Sequence, residues 1–226
     1  KRDAAHALGL GEPKAKELVG ALAGEAGDER FTPEEVYQGG RRALAEGRPE
    51  EAERAARTLQ QGATDAFQGL GHTLQAMIFI QRRRYRKAIA EAKRAATILP
   101  KHPEPYHQAG LAFYFLGDLE SSVRAYTRAH QLGPEVAVVL TNRASTYMAG
   151  LKRHQEWADL ALADLEATLK LDPNQAPAWG NLGFLKAQRG DRAGAIQALE
   201  RSVELAPKHP MAAKTRQLIE QLKAGR

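Results

Sequence analysis

Prolines at positions 100, 134, 173 and 207 stand 34, 39 and 34 residues apart. A fixed period of this length is the mark of a repeat architecture, and it constrains the chain more than any other feature. Within residues 103–136, Tyr106, Gly110 and Phe113 recur at helical spacing before Gly117-Asp118, and Ser122, Tyr126 and Ala129 recur after it, with Pro134 closing the unit. Each repeat is therefore a pair of helices joined by a short turn. Hydrophobic content of 43% with only 6% aromatic residues fits helices packed through Ala, Leu and small side chains. An all-α chain is the expectation.

The pattern resembles the tetratricopeptide repeat, which carries an aromatic at position 4, small residues at 8, 20 and 27, an aromatic at 11 and Pro at 32. The resemblance implies a right-handed α-solenoid of antiparallel helix pairs. Five repeats are read: a degenerate 33–66, then 69–102, 103–136, 137–175 and 176–209. In the first, Val36, Gly40, Ala43, Ala52 and Ala56 keep the register, and Glu46-Gly47-Arg48-Pro49 supplies the break between helices. The fourth holds five extra residues between Gly150 and Asp159. The fifth has Trp179, Gly183, Ala195 and Ser202 in place and Lys186 where an aromatic is usual. Capping helices are expected at both ends. Residues 1–32 contain Pro13 followed by Leu18, Val19 and Leu22 on one face, and residues 210–226 place Met211, Leu218, Ile219 and Leu222 on one face.

In tetratricopeptide proteins the first helix of each pair lines the concave face, and the resemblance implies that positions 2, 5, 9, 12 and 13 point into the groove. Here those positions include Thr73, Met77 and Ile80 in the second repeat and His107, Leu111, Tyr114 and Phe115 in the third. Thr141, Ser145 and Met148 follow in the fourth, and Phe184 in the fifth. An apolar groove for an extended peptide or an amphipathic helix is the expectation. A subfamily grips chaperone C-terminal carboxylates with Asn at position 9 of its first two repeats. Position 9 here reads Arg41, Met77, Leu111, Ser145 and Phe184, which argues against such a clamp.

A competing reading rests on charge. The chain has 33 basic and 27 acidic residues, a net charge of +6, and the cations gather at turns. Arg82, Arg83, Arg84, Arg86 and Lys87 lie at the turn of the second repeat, Lys152, Arg153 and His154 at that of the fourth, and Arg189 and Arg192 at that of the fifth. If equivalent turns align, they form a basic edge for an acidic protein, nucleic acid or an anionic membrane. Solvated turns are the commoner explanation of such runs, and nucleic acid is not the expected partner, because no aromatic pattern accompanies the charges. Trp157, in the insertion, reads either as a partner anchor or as a ring folded back on its own helix.

Catalytic readings find no support. The seven histidines lack ligand spacing, no Gly-x-Ser-x-Gly motif occurs, and Gly9-Leu10-Gly11 and Gly69-Leu70-Gly71 lack a preceding strand and read as turns. No cofactor and no metal are expected. The absence of cysteine excludes disulfides and thiolate-bound metals but leaves cytoplasm and periplasm open. No apolar run reaches the length of a membrane span. The chain begins at Lys1 without a Met or a signal-like stretch, and is expected to be a piece of a longer product with room for a leader, an anchor or an enzymatic domain. Its Ala- and Arg-rich usage suggests a bacterium, where such repeats serve envelope, pilus, secretion or motility assemblies. Partner identity and oligomeric state are not legible.

Overall fold

The computed structural model describes residues 31–225, and every regular element among them is a helix. The N-terminal capping helix expected around Pro13 lies outside the described residues. Two compact units divide the chain at Leu116/Gly117.

The first unit holds α1 (Pro33–Ala45), α2 (Pro49–Gln61), α3 (Asp65–Gln81), α4 (Tyr85–Ile98) and α5 (Pro103–Leu116). Local chemistry sets where each begins. Thr32 caps α1 in a reciprocal box: its Oγ1 accepts from the Glu35 amide at 3.2 Å and its own amide donates to Glu35 Oε2 at 2.9 Å. Pro33 and Pro49 occupy first-turn positions where no amide hydrogen is needed. The apolar faces of these helices meet in a core of Val36, Leu44, Ala52, Leu59, Leu74 and Ile78.

Small residues set how close the helices come. A Cβ at Gly40 would lie 2.3 Å from Leu74 Cδ2 and 2.9 Å from Ala55 Cβ. Gly69-Leu70-Gly71, expected to be a turn, instead lies inside α3 and is buried. Its glycines serve contact, not bending: a Cβ on Gly71 would sit 2.7 Å from the Gln60 backbone nitrogen of α2, and backbone cannot swing aside. Gly71→Ala is therefore expected to lower stability by about 1–3 kcal/mol, against the gain of about 1 kcal/mol that helix propensity alone assigns to it. The shift of the urea midpoint checks the sign.

The second unit holds α6 (Leu119–Leu132), α7 (Ala137–Gly150), α8 (Trp157–Leu171), α9 (Ala176–Gln188), α10 (Arg192–Leu205) and α11 (Ala212–Lys223). Asp118 caps α6 by accepting from the Ser121 amide at 3.1 Å, and Asp191 caps α10 from the Gly194 amide at 2.9 Å. The core runs through Ala144, Tyr147, Ala161, Leu165, Leu182 and Leu185. Residues 151–156 form the longer turn between α7 and α8. Trp157, the first residue of α8, folds inward there. Its ring lies edge-on to Tyr147 at 5.3 Å and flat on His154 at 4.2 Å, over Gly150.

Candidate functional site

The first helices of the pairs, α1, α3 and α5 in one unit and α7 and α9 in the other, carry the positions expected to face a groove. Each unit presents a different chemistry there.

In the first unit, Thr73 is fully buried and its hydroxyl donates to the Gly69 carbonyl at 2.8 Å. Ile80 packs with Phe79 and Phe113 against Ala88 and Ala112. Met77 is half-buried, with its sulfur accepting from the Tyr37 hydroxyl at 3.6 Å. His107 is mostly buried beside Glu104, its Nδ1 lying 3.6 Å from Oε1. Leu111 and Tyr114 are half-buried. Phe115 is 49% exposed, stacked on Tyr85 at 5.3 Å with Tyr114 edge-on at 5.4 Å.

The face is less apolar than the register suggested, because α1 and α5 bring a charged knot to it. Gln108 donates to Glu104 Oε1 at 2.8 Å. Burial by itself would raise the pKa of Glu104, but hydrogen bonding and charge from His107, the charge of Arg41 and the Gln108 bond outweigh it and lower the value from 4.5 to about 2. Arg41 also lies 5.6 Å over the ring of Tyr37. Burial first, then the Glu104 carboxylate, push the Tyr37 phenol well above its ordinary range. Sequence reasoning passed over Tyr37 and Glu104 as site residues, although they occupy positions 5 and 2 of their repeats, and took Arg41 at position 9 only as evidence against a clamp.

In the second unit the equivalent positions carry neutral side chains. Thr141 is buried; its hydroxyl approaches Thr168 Oγ1 at 3.3 Å and bonds Gln175 Oε1. Ser145 donates to the Thr141 carbonyl at 2.9 Å and so must accept from Asn181 Nδ2, 2.8 Å away. That fixes the amide of Asn181 with its carbonyl oxygen turned away from Ser145. Met148 is partly buried against the core. Phe184 lines a cavity of about 210 Å³ between α9, α10 and α11, together with Gly180, Asn181, Val203, Met211 and Thr215. Met211 is 44% exposed at its mouth. The register pointed to Phe184, whereas the cavity itself depends on where α11 docks.

The cations expected at the turns divide between the units. Arg82 pairs with Glu53, and Arg83, Arg84 and Arg86 are exposed beside it in the first unit. In the second, Lys152 and Arg153 are exposed on the 151–156 turn, while Arg189 pairs with Asp159 at 2.6 Å. Among the described residues there is no cluster of three metal-ligating side chains, and no helix is long and apolar enough to cross a membrane.

A family model for the tetratricopeptide repeat matches residues 151–220. The heat-shock protein cognate co-chaperone sgt12 of Aspergillus fumigatus is 30% identical over 87 residues, 38% of this chain and 24% of that protein. The Hsp70-Hsp90 organizing protein of Triticum aestivum is 32% identical over 98 residues, 43% of this chain and 16% of that protein. The chain thus spans no more than about a quarter of the curated relatives it matches. Among solved structures, a thermophilic tetratricopeptide protein of Thermus thermophilus, TTC0263, superposes with a TM-score of 0.65 at 18% identity, covering 85% of this chain and all of that one. YrrB, described as a tetratricopeptide protein with an unusual peptide-binding site, gives 0.57 at 15% identity over 90% of this chain and 99% of its own. The chain thus carries the tetratricopeptide repeat by sequence over residues 151–220, and the helix pairs of both units have the tetratricopeptide-repeat fold.

Proposed function

We propose that the chain is a protein-binding scaffold whose first-helix faces receive peptide segments of partner proteins, with the main anchor seated against Phe184. The observation that carries this reading is the cavity between α9, α10 and α11: an apolar hole of about 210 Å³ with the oriented amide of Asn181 at its wall. That pairing suits a peptide, because an apolar side chain fills the hole while a nearby backbone amide donates to Asn181. Half-exposed Met211 gives the mouth a side chain that adapts to different anchors. The charged knot of Arg41, Glu104 and His107 adds a polar contact on the first unit's face, so recognition there is mixed instead of purely apolar. The tetratricopeptide fold and the co-chaperone relatives support binding of proteins in general. A place in a bacterial envelope, pilus, secretion or motility assembly would suit a scaffold of this kind.

Peptides selected from a random display library on the full chain test the reading. The selected sequences are expected to share an apolar residue, and Phe184→Ser is expected to weaken them by about 2 kcal/mol, as for a central anchor. Peptides that bind Phe184→Ser as tightly as the parent place recognition elsewhere.

A further inference from the structure

The turn between α3 and α4 departs from the three turns that follow α1, α5 and α9. Arg83 has a φ of 58°, whereas Gly47, Gly117 and Gly190 hold the left-handed conformation at 72°, 87° and 80° after α1, α5 and α9. The hydrogen bonding matches that at Gly47 and Gly190. Arg83 donates its amide to the Ile80 carbonyl at 2.9 Å and Arg84 to that of Phe79 at 2.8 Å, as Gly190 and Asp191 do to Ala187 and Lys186 at 3.1 and 3.0 Å. This is the left-handed cap that glycine fills without steric cost, and a Cβ there is unfavourable. The chain therefore holds an arginine where its own pattern prefers glycine, an outlier that points toward a use for the side chain.

The surroundings indicate the use. Arg83, Arg84 and Arg86 are exposed and make no ion pair with a described residue, while Glu53 already takes Arg82. Between them Tyr85 stacks its ring on Phe115, which is 49% exposed next to Leu116 at 43%. A cluster of guanidinium forks thus stands beside a small apolar floor.

We propose that the Arg82–Lys87 turn and Phe115 form a second docking surface, for an acidic protein segment carrying an apolar side chain among its carboxylates. Arginine predominates over lysine in the cluster, and its planar fork matches carboxylates two bonds at a time. Single-stranded nucleic acid suits the site less well, because Tyr85 covers one face of Phe115 and Tyr114 its edge, leaving one ring surface instead of a series of stacking platforms. A bilayer would need a broader apolar face than one ring and one leucine.

The full chain is titrated with a synthetic peptide of alternating Glu and Asp around a central Leu, with a version in which Gly replaces that Leu, with an oligo(dT) strand and with phosphatidylserine vesicles. The Leu peptide is expected to bind best, less tightly as salt rises, and to lose about tenfold or more when Arg84→Glu and Arg86→Glu are combined. Phe115→Ser is expected to weaken the Leu peptide to the level of the Gly version. Arg83→Gly is expected to weaken binding while raising the midpoint of thermal unfolding, so lost affinity cannot be laid to lost folding. Absence of peptide binding, tighter binding of the strand or the vesicles, indifference to the Arg84/Arg86 reversal, or an Arg83→Gly protein that binds as the parent does would each overturn the proposal.

Discussion

Replacing Asp164 by Ala is expected to lower the stability of the second unit by about 3–5 kcal/mol. Asp164 on α8 is 6% exposed and accepts two parallel bonds from Arg143 on α7, from Nε at 2.8 Å and from Nη2 at 2.7 Å. A third guanidinium bond, from Nη1, reaches Thr127 on α6 at 3.1 Å. One arginine thus ties three consecutive helices. Burial alone would lower the Arg143 pKa, but the Asp164 bonds and charge more than reverse that. Removing the carboxylate leaves a cation in a site that water reaches poorly, and the loss is mostly the cost of that unpaired charge. The double replacement Arg143→Met with Asp164→Leu removes both charges and should recover most of the stability, since a buried pair contributes little over an apolar pair of similar volume. Urea unfolding of the three proteins separates the cases. If Asp164→Ala unfolds within about 1 kcal/mol of the parent, the pair is an exposed one in effect.

Acidification is expected to weaken the first unit through one residue. The Glu104 pKa falls from 4.5 in an ordinary setting to about 2 in the fold, so the folded state binds the proton less readily than the unfolded chain. The stabilisation is complete above pH 4.5 and is lost as pH drops toward 2. The shift corresponds to about 3 kcal/mol at most, for a side chain that is 19% exposed. Glu104→Gln should flatten the stability profile over that range while leaving the remaining acid dependence of other carboxylates in place. A profile in Glu104→Gln as steep as the parent's would assign the acid sensitivity to another group.

The two predictions rest on contacts that differ in how far the sequence announced them. The helical class followed from the 34-residue spacing and from small residues at Gly40, Ala144 and Gly183, because only such side chains tolerate helix backbones at close range. The charged knot was not legible. Its members sit at the right register positions, but Arg41 and Glu104 are 63 residues apart, and the influence of one charge on the other depends on how the fold brings α1 and α5 near each other. Gly69-Leu70-Gly71 misled for another reason. Glycine punctuates turns by default, yet here the apolar period of α3 overrides it and the missing Cβ serves packing against Gln60. Arg83 was visible as a charge but not as a strained residue. Its conformation emerges only when the turn is compared with those of Gly47, Gly117 and Gly190.

The cavity beside Phe184 has walls on α9 and α10 and also on α11, through Met211, Ala212 and Thr215. Any ligand seated there holds the last helix as well as the last repeat, so occupancy and helix docking are linked equilibria. Each tenfold of ligand above its dissociation constant adds about 1.4 kcal/mol to the free energy of peeling α11 away. Helix α11 thereby becomes a recorder of binding: slow exchange of the amides around Ile219 would report an occupied cavity without any change of backbone course.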